Sequence, residues 1–220
     1  MSQWVKTQDG SYTQKDTFSE ELMHNVSGAW SETCHVFMPA LEILSSLKKE
    51  PITLLIFGTG LGYIDLLVGA FSLKYSIKFK VLSFEKEDSL RESLICELKN
   101  KSFPYDELFQ TIATQFEIDV NQLSEKVLEQ TSFLGAYQTS LVPYKIDGML
   151  FDAFSSSVDD TLWSEVFLKG LLEQMSDSSV FVTYAARGGL NRVLKESGFE
   201  KKPRKGFGRK REMTFALRGF

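Results

Sequence analysis

Three short segments of this chain carry residue types that could bind and activate a small molecule. Residues 58–62 read Gly-Thr-Gly-Leu-Gly, and Glu85 and Asp152 are single acids; each of the three follows a six-residue run that is mostly apolar. Such runs are typical of strands buried on both faces of a parallel sheet. Because ligands of open α/β sheets bind at the carboxyl ends of the strands, we expect the three segments to lie around one pocket.

The glycine-rich segment and the first acid together predict a nucleoside site. Glycine lets the backbone approach a ligand closely, and a carboxylate at the end of the next strand can accept both hydroxyl groups of a ribose. A glycine turn alone is weak evidence, since many strand-to-helix turns use glycine only for packing. The turn followed by Glu85 is more specific and indicates an adenosine-containing cofactor.

The spacing within the turn favours one cofactor over another. A dinucleotide site requires glycine at the sixth position of the motif, where this chain has Tyr63; this disfavours NAD and leaves S-adenosylmethionine. Asp152 is suited to orient an amine and take its proton, and Phe154 to shield a sulfonium or stack on a base. Alternatively Asp152 caps the next helix, although Asp159 and Asp160 are better placed for that role.

A basic segment near the carboxyl terminus indicates a polyanionic partner. Residues 201–211 hold seven of the 25 Lys and Arg residues and no acid, so the remainder of the chain carries 18 − 29 = −11. A concentrated patch on an acidic body favours local contact with a polyanion. The alternative is a charged, solvated loop. The seven residues are Lys201, Lys202, Arg204, Lys205, Arg209, Lys210 and Arg211.

The predicted elements alternate between strand and helix, which implies a doubly wound, mostly parallel α/β sheet. We expect residues 1–35 to form an irregular extension, a helix to begin near Pro39, a long, mostly helical stretch over residues 89–129, and a closing antiparallel edge strand. The predicted strands are 52–57, 79–84, 131–134, 146–151, 180–184, one near Phe199, and 213–217; the other helices are 63–73, one containing Trp163, Phe167 and Leu171, and 190–195.

Composition places the chain among ordinary globular proteins. It has 220 residues, 43% hydrophobic and 25% charged, and its apolar runs are too short to cross a bilayer. No secretory signal is evident, and two distant cysteines, Cys34 and Cys96, favour neither disulfides nor zinc. We therefore expect a cytoplasmic protein without a bound metal, existing as a monomer or weak oligomer.

Several motifs resemble the methyltransferase module of the MnmC family, especially its stand-alone, MnmD-like members. The resemblance covers nearly the whole chain, and residues 206–213 are highly specific to it. The motifs are Gly-Phe-Gly-Arg-Lys-Arg-Glu-Met at 206–213, Phe-Asp-Ala-Phe at 151–154 with Trp163 downstream, Phe-Gly-Thr-Gly-Leu at 57–61, Thr-Gln-Asp-Gly-Ser at 7–11, and Thr13, His24, Gly28, Ala29, Glu32 and residues 35–37.

The resemblance implies a Rossmann-like methyltransferase domain at 36–220, S-adenosylmethionine as methyl donor, and a 5-aminomethyluridine at the tRNA wobble position as acceptor. No counterpart of the family's flavin-dependent oxidase domain is expected, and hence no FAD. The implied site residues are Asp152 as catalytic base, Gly58, Thr59, Gly60, Gly62, Glu85 and Asp152 around the cofactor, and Lys205, Arg209, Lys210 and Arg211 on anticodon-arm phosphates.

The chain departs from the family pattern near the expected cofactor pocket. Leu54 and Ile56 stand where relatives carry an acid and a glycine, Ala136 where they place an aspartate, and Cys34 where they have arginine. A missing acceptor for the adenine amino group costs about 1–3 kcal/mol if the donor stays unpaired. Two alternatives therefore stand: a tRNA-binding scaffold that no longer binds the cofactor, and a methyltransferase for another amine.

Overall fold

The computed structural model describes residues 4–15, 22–142, 145–153 and 161–220. Phe154, Asp159 and Asp160, for which the sequence predicted a stacking surface and a helix cap, lie outside the described residues.

Seven strands form the central sheet, in the order β5-β4-β3-β6-β7-β9-β8. All neighbouring pairs from β5 to β7 are parallel, while β9 is antiparallel to both β7 and β8. The antiparallel strand is therefore next to the edge, because the two-residue β8 pairs on its outer side. The strands are β3 (Ile52–Phe57), β4 (Phe79–Phe84), β5 (Thr131–Leu134), β6 (Ile146–Phe151), β7 (Met175–Thr183), β8 (Glu200–Lys201) and β9 (Thr214–Arg218), and a separate hairpin pairs β1 (Trp4–Lys6) with β2 (Tyr12–Gln14).

Seven helices accompany the strands in the described residues. The long helical stretch predicted for residues 89–129 is three helices, because the chain turns through left-handed conformations at Lys101 (φ 51°) and Glu117 (φ 54°). Propensity alone does not place such breaks, since neither residue is a glycine. The helices are α1 (Ala29–Leu44), α2 (Tyr63–Tyr75), α3 (Asp88–Asn100), α4 (Tyr105–Phe116), α5 (Val120–Gln130), α6 (Glu165–Glu173) and α7 (Gly188–Glu196).

Alternation along the central strands divides the core between the two faces of the sheet. On β3, Leu54 and Ile56 pack with α1, α2, α4 and α5, whereas Leu55 and Phe57 pack with α6 and α7. Successive side chains of a strand point to opposite faces, so a mostly apolar strand contributes side chains to both cores. This arrangement holds the carboxyl ends of β3, β4 and β6 in fixed positions.

Helix α1 begins ten residues before the predicted start, and Pro39 lies inside it rather than in its first turn. The amino end has no local side-chain cap. Instead, Ser11 Oγ accepts hydrogen bonds from the backbone N–H groups of Ala29 and Trp30 (both 3.1 Å), and Asp9 Oδ2 accepts one from Ser31 (2.8 Å). A distant loop thus supplies the cap, and the predicted division at position 35 would cut through α1.

We expect Ser11→Ala to lower the free energy of unfolding by about 0.5–2 kcal/mol, because it leaves the first N–H groups of α1 without their main acceptor. The change is measured as a shift in the midpoint of urea denaturation. Ser89→Ala, at an exposed position of α3, is the control and should be nearly neutral. Equal destabilisation in the two variants would show that the cap contributes nothing.

The segment over residues 102–129 packs on α2 and supports the glycine turn. Tyr105 Oη donates to the carbonyl oxygen of Leu61 in the glycine turn (3.0 Å). A Cβ atom at Gly69 of α2 would lie 2.5 Å from Val127 Cγ2, so α2 and α5 are in close contact. Trp30 Nε1 donates to Gln115 Oε1 at 2.6 Å, which ties α1 to α4.

Two broader properties concern the part of the chain that the structure describes. No helix there combines the length and apolar character needed to traverse a bilayer. No cluster of three or more His, Cys, Asp or Glu side chains is arranged there to hold a metal ion.

Candidate active site

A cavity of about 910 Å³ opens at the carboxyl ends of β3, β4 and β6. Its wall includes residues from all three segments singled out in the sequence: Gly58, Thr59 and Gly60, then Glu85, then Asp152. The sheet topology brings them together because each directly follows one of three adjacent parallel strands.

The glycine turn is shaped by its contact with β6. Gly58 has φ 81°, and a Cβ atom there would lie 2.6 Å from the carbonyl oxygen of Asp152, so a side chain is excluded both by conformation and by space. Gly62 caps α2 with φ 77° and faces Leu94, where a Cβ atom would meet Cδ1 at 2.5 Å. Gly62 is outside the cavity wall formed by the described residues; its glycine requirement is therefore one of packing.

Glu85 is held in place by backbone groups. Its Oε2 accepts a hydrogen bond from the N–H of Gly60 and its Oε1 one from the N–H of Glu87, both at 3.0 Å. Only 8% of the residue is exposed. A carboxylate has about four lone-pair sites, so Glu85 still offers acceptor positions toward the cavity.

A buried hydrogen-bond chain lies behind the glycine turn. Thr59 Oγ1 and Ser83 Oγ are 2.7 Å apart, and Ser83 Oγ donates to Asp65 Oδ2 at 3.2 Å. Burial raises the pKa of Asp65 to about 7. The hydrogen-bond chain orients Thr59 from inside the core, and nothing in the sequence motif indicated Asp65.

Asp152 lies at the end of β6, where its backbone N–H donates to the carbonyl oxygen of Phe57 (2.8 Å). Burial, and to a smaller extent the negative charge of Glu32, raises the pKa of Asp152 to about 7, while the positive charge of Lys210 acts in the opposite direction. A carboxyl group with a pKa near neutral exchanges protons readily at physiological pH. The environment of Asp152 thus suits a general base.

Lys210 belongs to the basic segment, yet it lines the cavity together with Glu32 and Tyr184. Its Nζ lies 3.8 Å from Glu32 Oε1 and 4.2 Å from the centre of the Tyr184 ring. Tyr184 Oη in turn donates to the carbonyl oxygen of Ala153 (3.0 Å). The sequence assigned Lys210 to phosphate contact alone and gave Glu32 and Tyr184 no role in the site.

The rest of the basic loop (residues 203–213) rests on the first half of α1. His35 Nε2 donates to the carbonyl oxygen of Lys205 at 2.8 Å, and the His35 and Phe207 rings are 5.8 Å apart. Lys205, Arg209 and Arg211 are exposed, and none of the ion pairs found among the described residues involves them. These three cations of the loop are therefore exposed to solvent, and Arg209 and Arg211 directly flank the cavity-lining Lys210 in the sequence.

An aromatic group that the sequence did not assign to the site forms another part of the wall. Phe57, Phe84 and Phe167 surround the Tyr137 ring with centroid separations of 5.0–5.6 Å. Gln174 Nε2 donates to Tyr137 Oη (2.9 Å). The sequence position of two of these residues could have indicated the aromatic wall, because Phe57 and Phe84 each end a strand immediately before a candidate segment.

The amino-terminal segment covers the cavity from the other side. His24 lines the cavity, and its ring centre is 4.7 Å from that of Tyr63. Burial lowers the pKa of His24 to about 4, so the imidazole is neutral at physiological pH. Tyr63 Oη donates to the carbonyl oxygen of Tyr12 (2.6 Å). The residue that breaks the dinucleotide motif thereby anchors the β1–β2 hairpin to α2.

The departures from the family pattern fall in two places. Leu54 and Ile56 are fully buried in the core, and neither is among the cavity-lining residues described. Ala136 lines the cavity beside Gly135. Cys34 is partly buried, and burial raises the pKa of its thiol to about 12. Of the four, only Ala136 is placed to alter a ligand contact directly.

The geometry fits a nucleoside sulfonium donor. Gly58 and Gly60, both with positive φ, keep side chains away from the cavity floor, and Glu85 presents acceptor positions next to them. The aromatic wall offers a flat apolar surface for a base. Asp152 adds a negatively charged group when ionised, which complements a positively charged ligand.

Comparison with known families assigns the fold a reaction class. The profile of a family described as S-adenosyl-L-methionine-dependent methyltransferase matches residues 103–219, slightly more than half of the chain.

Two individual proteins are similar to the chain over most of its length. The chain is 23% identical to an uncharacterized protein of Methanocaldococcus jannaschii over 97% of its own length and 59% of that protein. It is 26% identical to the tRNA 5-methylaminomethyl-2-thiouridine biosynthesis bifunctional protein MnmC of Paraburkholderia phymatum, over 88% of this chain and 32% of that protein. The chain thus spans less than two thirds of either relative.

Solved structures support the same fold. The crystal structure of MNMC2 from Aquifex aeolicus superposes with a TM-score of 0.71 at 24% identity, covering 98% of this chain and 70% of the other. A second Aquifex aeolicus structure, of a SAM-dependent methyltransferase, has a TM-score of 0.50 at 13% identity, with 84% and 92% covered.

Proposed function

The chain belongs to the S-adenosyl-L-methionine-dependent methyltransferase family, and on that premise we propose that it methylates the aminomethyl nitrogen of a 5-aminomethyluridine at the tRNA wobble position. The observation that carries the proposal is that Lys210 of the basic loop lines the same cavity as Asp152 and the glycine turn. A polyanion bound by the loop would therefore place one of its bases at the cavity mouth. The relatives named MnmC favour tRNA as that polyanion.

Gly58, Thr59, Gly60 and Glu85 would hold the cofactor, with the ribose hydroxyl groups donating to Glu85. When bound, S-adenosylmethionine supplies a methyl group carried on a sulfonium. The aromatic wall around Tyr137 would receive the adenine. This placement uses only groups that already face the cavity.

Asp152 would act on the acceptor. An aminomethyl group is mainly an ammonium ion at neutral pH and has no free lone pair in that form. Asp152, whose pKa is raised to about 7, takes a proton from the ammonium and frees the nitrogen lone pair. Raising the pKa of the base toward that of the amine reduces the energetic cost of the transfer.

The target base lies in a loop, so access does not require opening a duplex. Single-stranded RNA bases can be splayed out and stacked on side chains. Phe207, partly buried against His35, is the described aromatic residue of the basic loop that is available for such a contact.

The direct test is a methylation assay on tRNA from cells that lack the terminal methyl group. We expect the purified protein with S-adenosylmethionine to convert 5-aminomethyluridine, thiolated or not, to its methylaminomethyl form, detected by nucleoside mass spectrometry. Absence of product on tRNA, together with methylation of a free amine, would favour the alternative amine methyltransferase.

A separate prediction concerns the exposed cations of the loop and the salt dependence of tRNA affinity. Replacing both Arg209 and Arg211 with Ala should weaken the salt dependence of tRNA binding. The negative slope of the logarithm of the association constant against the logarithm of the salt concentration should become less steep by about 0.7–0.9 for each phosphate that the variant no longer neutralises. Fluorescence anisotropy with labelled tRNA over a salt series measures this slope. Lys169→Ala, at an exposed position of α6, removes the same type of charge elsewhere and should leave the slope unchanged. An unchanged slope in the double variant would rule out these phosphate contacts.

A further inference from the structure

One region of the cavity wall is suited to bind a cation, and the proposed reaction gives this region no role. Glu32 Oε1 and the face of the Tyr184 ring lie 3.8 and 4.2 Å from Lys210 Nζ. Asp152 lines the same cavity, and the charges of Glu32 and Lys210 both act on its carboxyl group. Carboxylates and an aromatic face are groups that attract an ammonium ion. In the free protein, the Nζ of Lys210 takes this position.

Glu32 is fixed more firmly than the cation beside it. Its Oε2 accepts a hydrogen bond from the backbone N–H of Asn25 at 2.9 Å, and 13% of its side chain is exposed. Lys210, in contrast, is 43% exposed, and its Nζ is 3.8 Å from the carboxylate. A hydrogen-bonded ion pair is closer to about 2.8 Å, so Lys210 is a loosely held cation.

The position of Lys210 in the chain connects this site to the nucleic-acid surface. Lys210 lies between the exposed cations Arg209 and Arg211. The loop is tightly folded here, since a Cβ atom at Gly206 would lie 2.6 Å from Lys210 Cβ. A phosphate bound at the loop would compete with Glu32 for the ammonium group of Lys210.

We propose that Glu32 is the specificity-determining carboxylate that binds the acceptor amine as an ammonium ion, and that Lys210 occupies this position until nucleic acid draws it away. The inference rests on the proposed function and adds to it the residue that selects a cationic acceptor. Glu32 orients the ammonium, and Asp152 receives its proton. A neutral group of the same shape, such as a hydroxymethyl, gains nothing from Glu32 and is rejected.

The test uses the full chain with three acceptors: tRNA bearing 5-aminomethyluridine, the free 5-aminomethyluridine nucleoside, and the 5-hydroxymethyluridine nucleoside as a neutral competitor. Glu32→Gln should raise KM for both amine acceptors by about 10–100-fold with little change in kcat. It should also abolish the preference for the amine over the hydroxymethyl nucleoside. Lys210→Ala should lower KM for the free nucleoside by about tenfold, since the competing cation is gone, and raise KM for tRNA.

The pH dependence distinguishes this role from a purely structural one. Glu32 adds negative charge next to Asp152 and Lys210 adds positive charge. The cavity wall formed by the described residues also contains the titratable groups of His24, Glu85, Lys86, Glu87 and Tyr184. The acid limb of the rate profile should therefore move to lower pH in Glu32→Gln and to higher pH in Lys210→Ala. Lys99→Ala, an exposed lysine of α3, is the control and should leave KM and the profile unchanged.

The outcomes separate the two proposals. If the wild-type protein methylates tRNA but Glu32→Gln keeps both its KM and its amine preference, the role of Glu32 is wrong and the proposed function stands. If the wild-type protein leaves tRNA unmethylated, the proposed function is wrong, and calorimetric titration decides the role of Glu32. Tighter binding of the aminomethyl than of the hydroxymethyl nucleoside, abolished in Glu32→Gln, supports it; equal affinities overturn it.

Discussion

Asp152→Asn should lower kcat by about 10²–10⁴-fold while the protein stays folded and binds S-adenosylmethionine. Asparagine preserves the shape of the side chain but cannot take a proton from the acceptor amine. The measurement is single-turnover methylation of tRNA under saturating cofactor. Near-normal turnover would remove Asp152 from the catalytic role.

The same substitution should stabilise the fold, which distinguishes loss of chemistry from loss of structure. The pKa of Asp152 is about 7 in the folded protein against an ordinary value of 3.8, so the folded state holds the proton more tightly. The stability that this group contributes is complete below about pH 4 and disappears as the pH rises through about 7. The amide does not ionise, so we expect Asp152→Asn to unfold with a free energy about 4 kcal/mol larger than that of the wild type at pH 8 and nearly unchanged at about pH 3.

The wild-type rate should follow the ionisation of the same group. Asp152 acts as a base only when deprotonated, so kcat should rise with pH and level off above about 7. In Asp152→Asn, this rise of kcat with pH should be absent. If kcat of the variant still rises with pH, the ionisation responsible belongs to another group.

Glu85→Gln should weaken S-adenosylmethionine binding by about 10–100-fold, the effect of removing a hydrogen bond to a charged acceptor. Both carboxylate oxygens of Glu85 already accept backbone N–H groups, from Gly60 and Glu87. An amide has only one acceptor oxygen, so its NH₂ group must face one of these donors. The substitution therefore disturbs the glycine turn as well as the ribose contact.

Calorimetric titration with S-adenosylmethionine measures the effect directly. Glu92→Gln, at an exposed position of α3, makes the same chemical change away from the cavity and should bind with wild-type affinity. If Glu85→Gln also binds with wild-type affinity, Glu85 does not hold the cofactor.

Much of the fold could be predicted from local patterns. The apolar runs at β3, β4 and β6 predicted buried parallel strands, and these three strands begin and end at the predicted residues. Helix boundaries were harder to predict. The start of α1 depends on acceptors from Ser11 and Asp9, and the break at Lys101 depends on a left-handed conformation that propensity does not indicate.

Only part of the candidate site could be predicted from the sequence, again because local patterns were visible and tertiary contacts were not. Glu85 and Asp152 directly follow strands, so the position of each in the sheet fixed its place at the cavity. Glu32 and Tyr184 come from α1 and from the residue after β7, and their relation to Lys210 exists only after the basic loop packs on α1. No spacing in the sequence encodes that contact.

The sequence by itself determined the order of the central strands along the chain and the residues at their ends, because burial periodicity and glycine requirements are local properties of the chain. The reaction class was expected from the resemblance of several motifs to a known family. Only the tertiary structure decided which charges share the cavity. Electrostatic interactions depend on distance through space, and Glu32 and Lys210, which lie near opposite ends of the chain, are 3.8 Å apart in the folded protein.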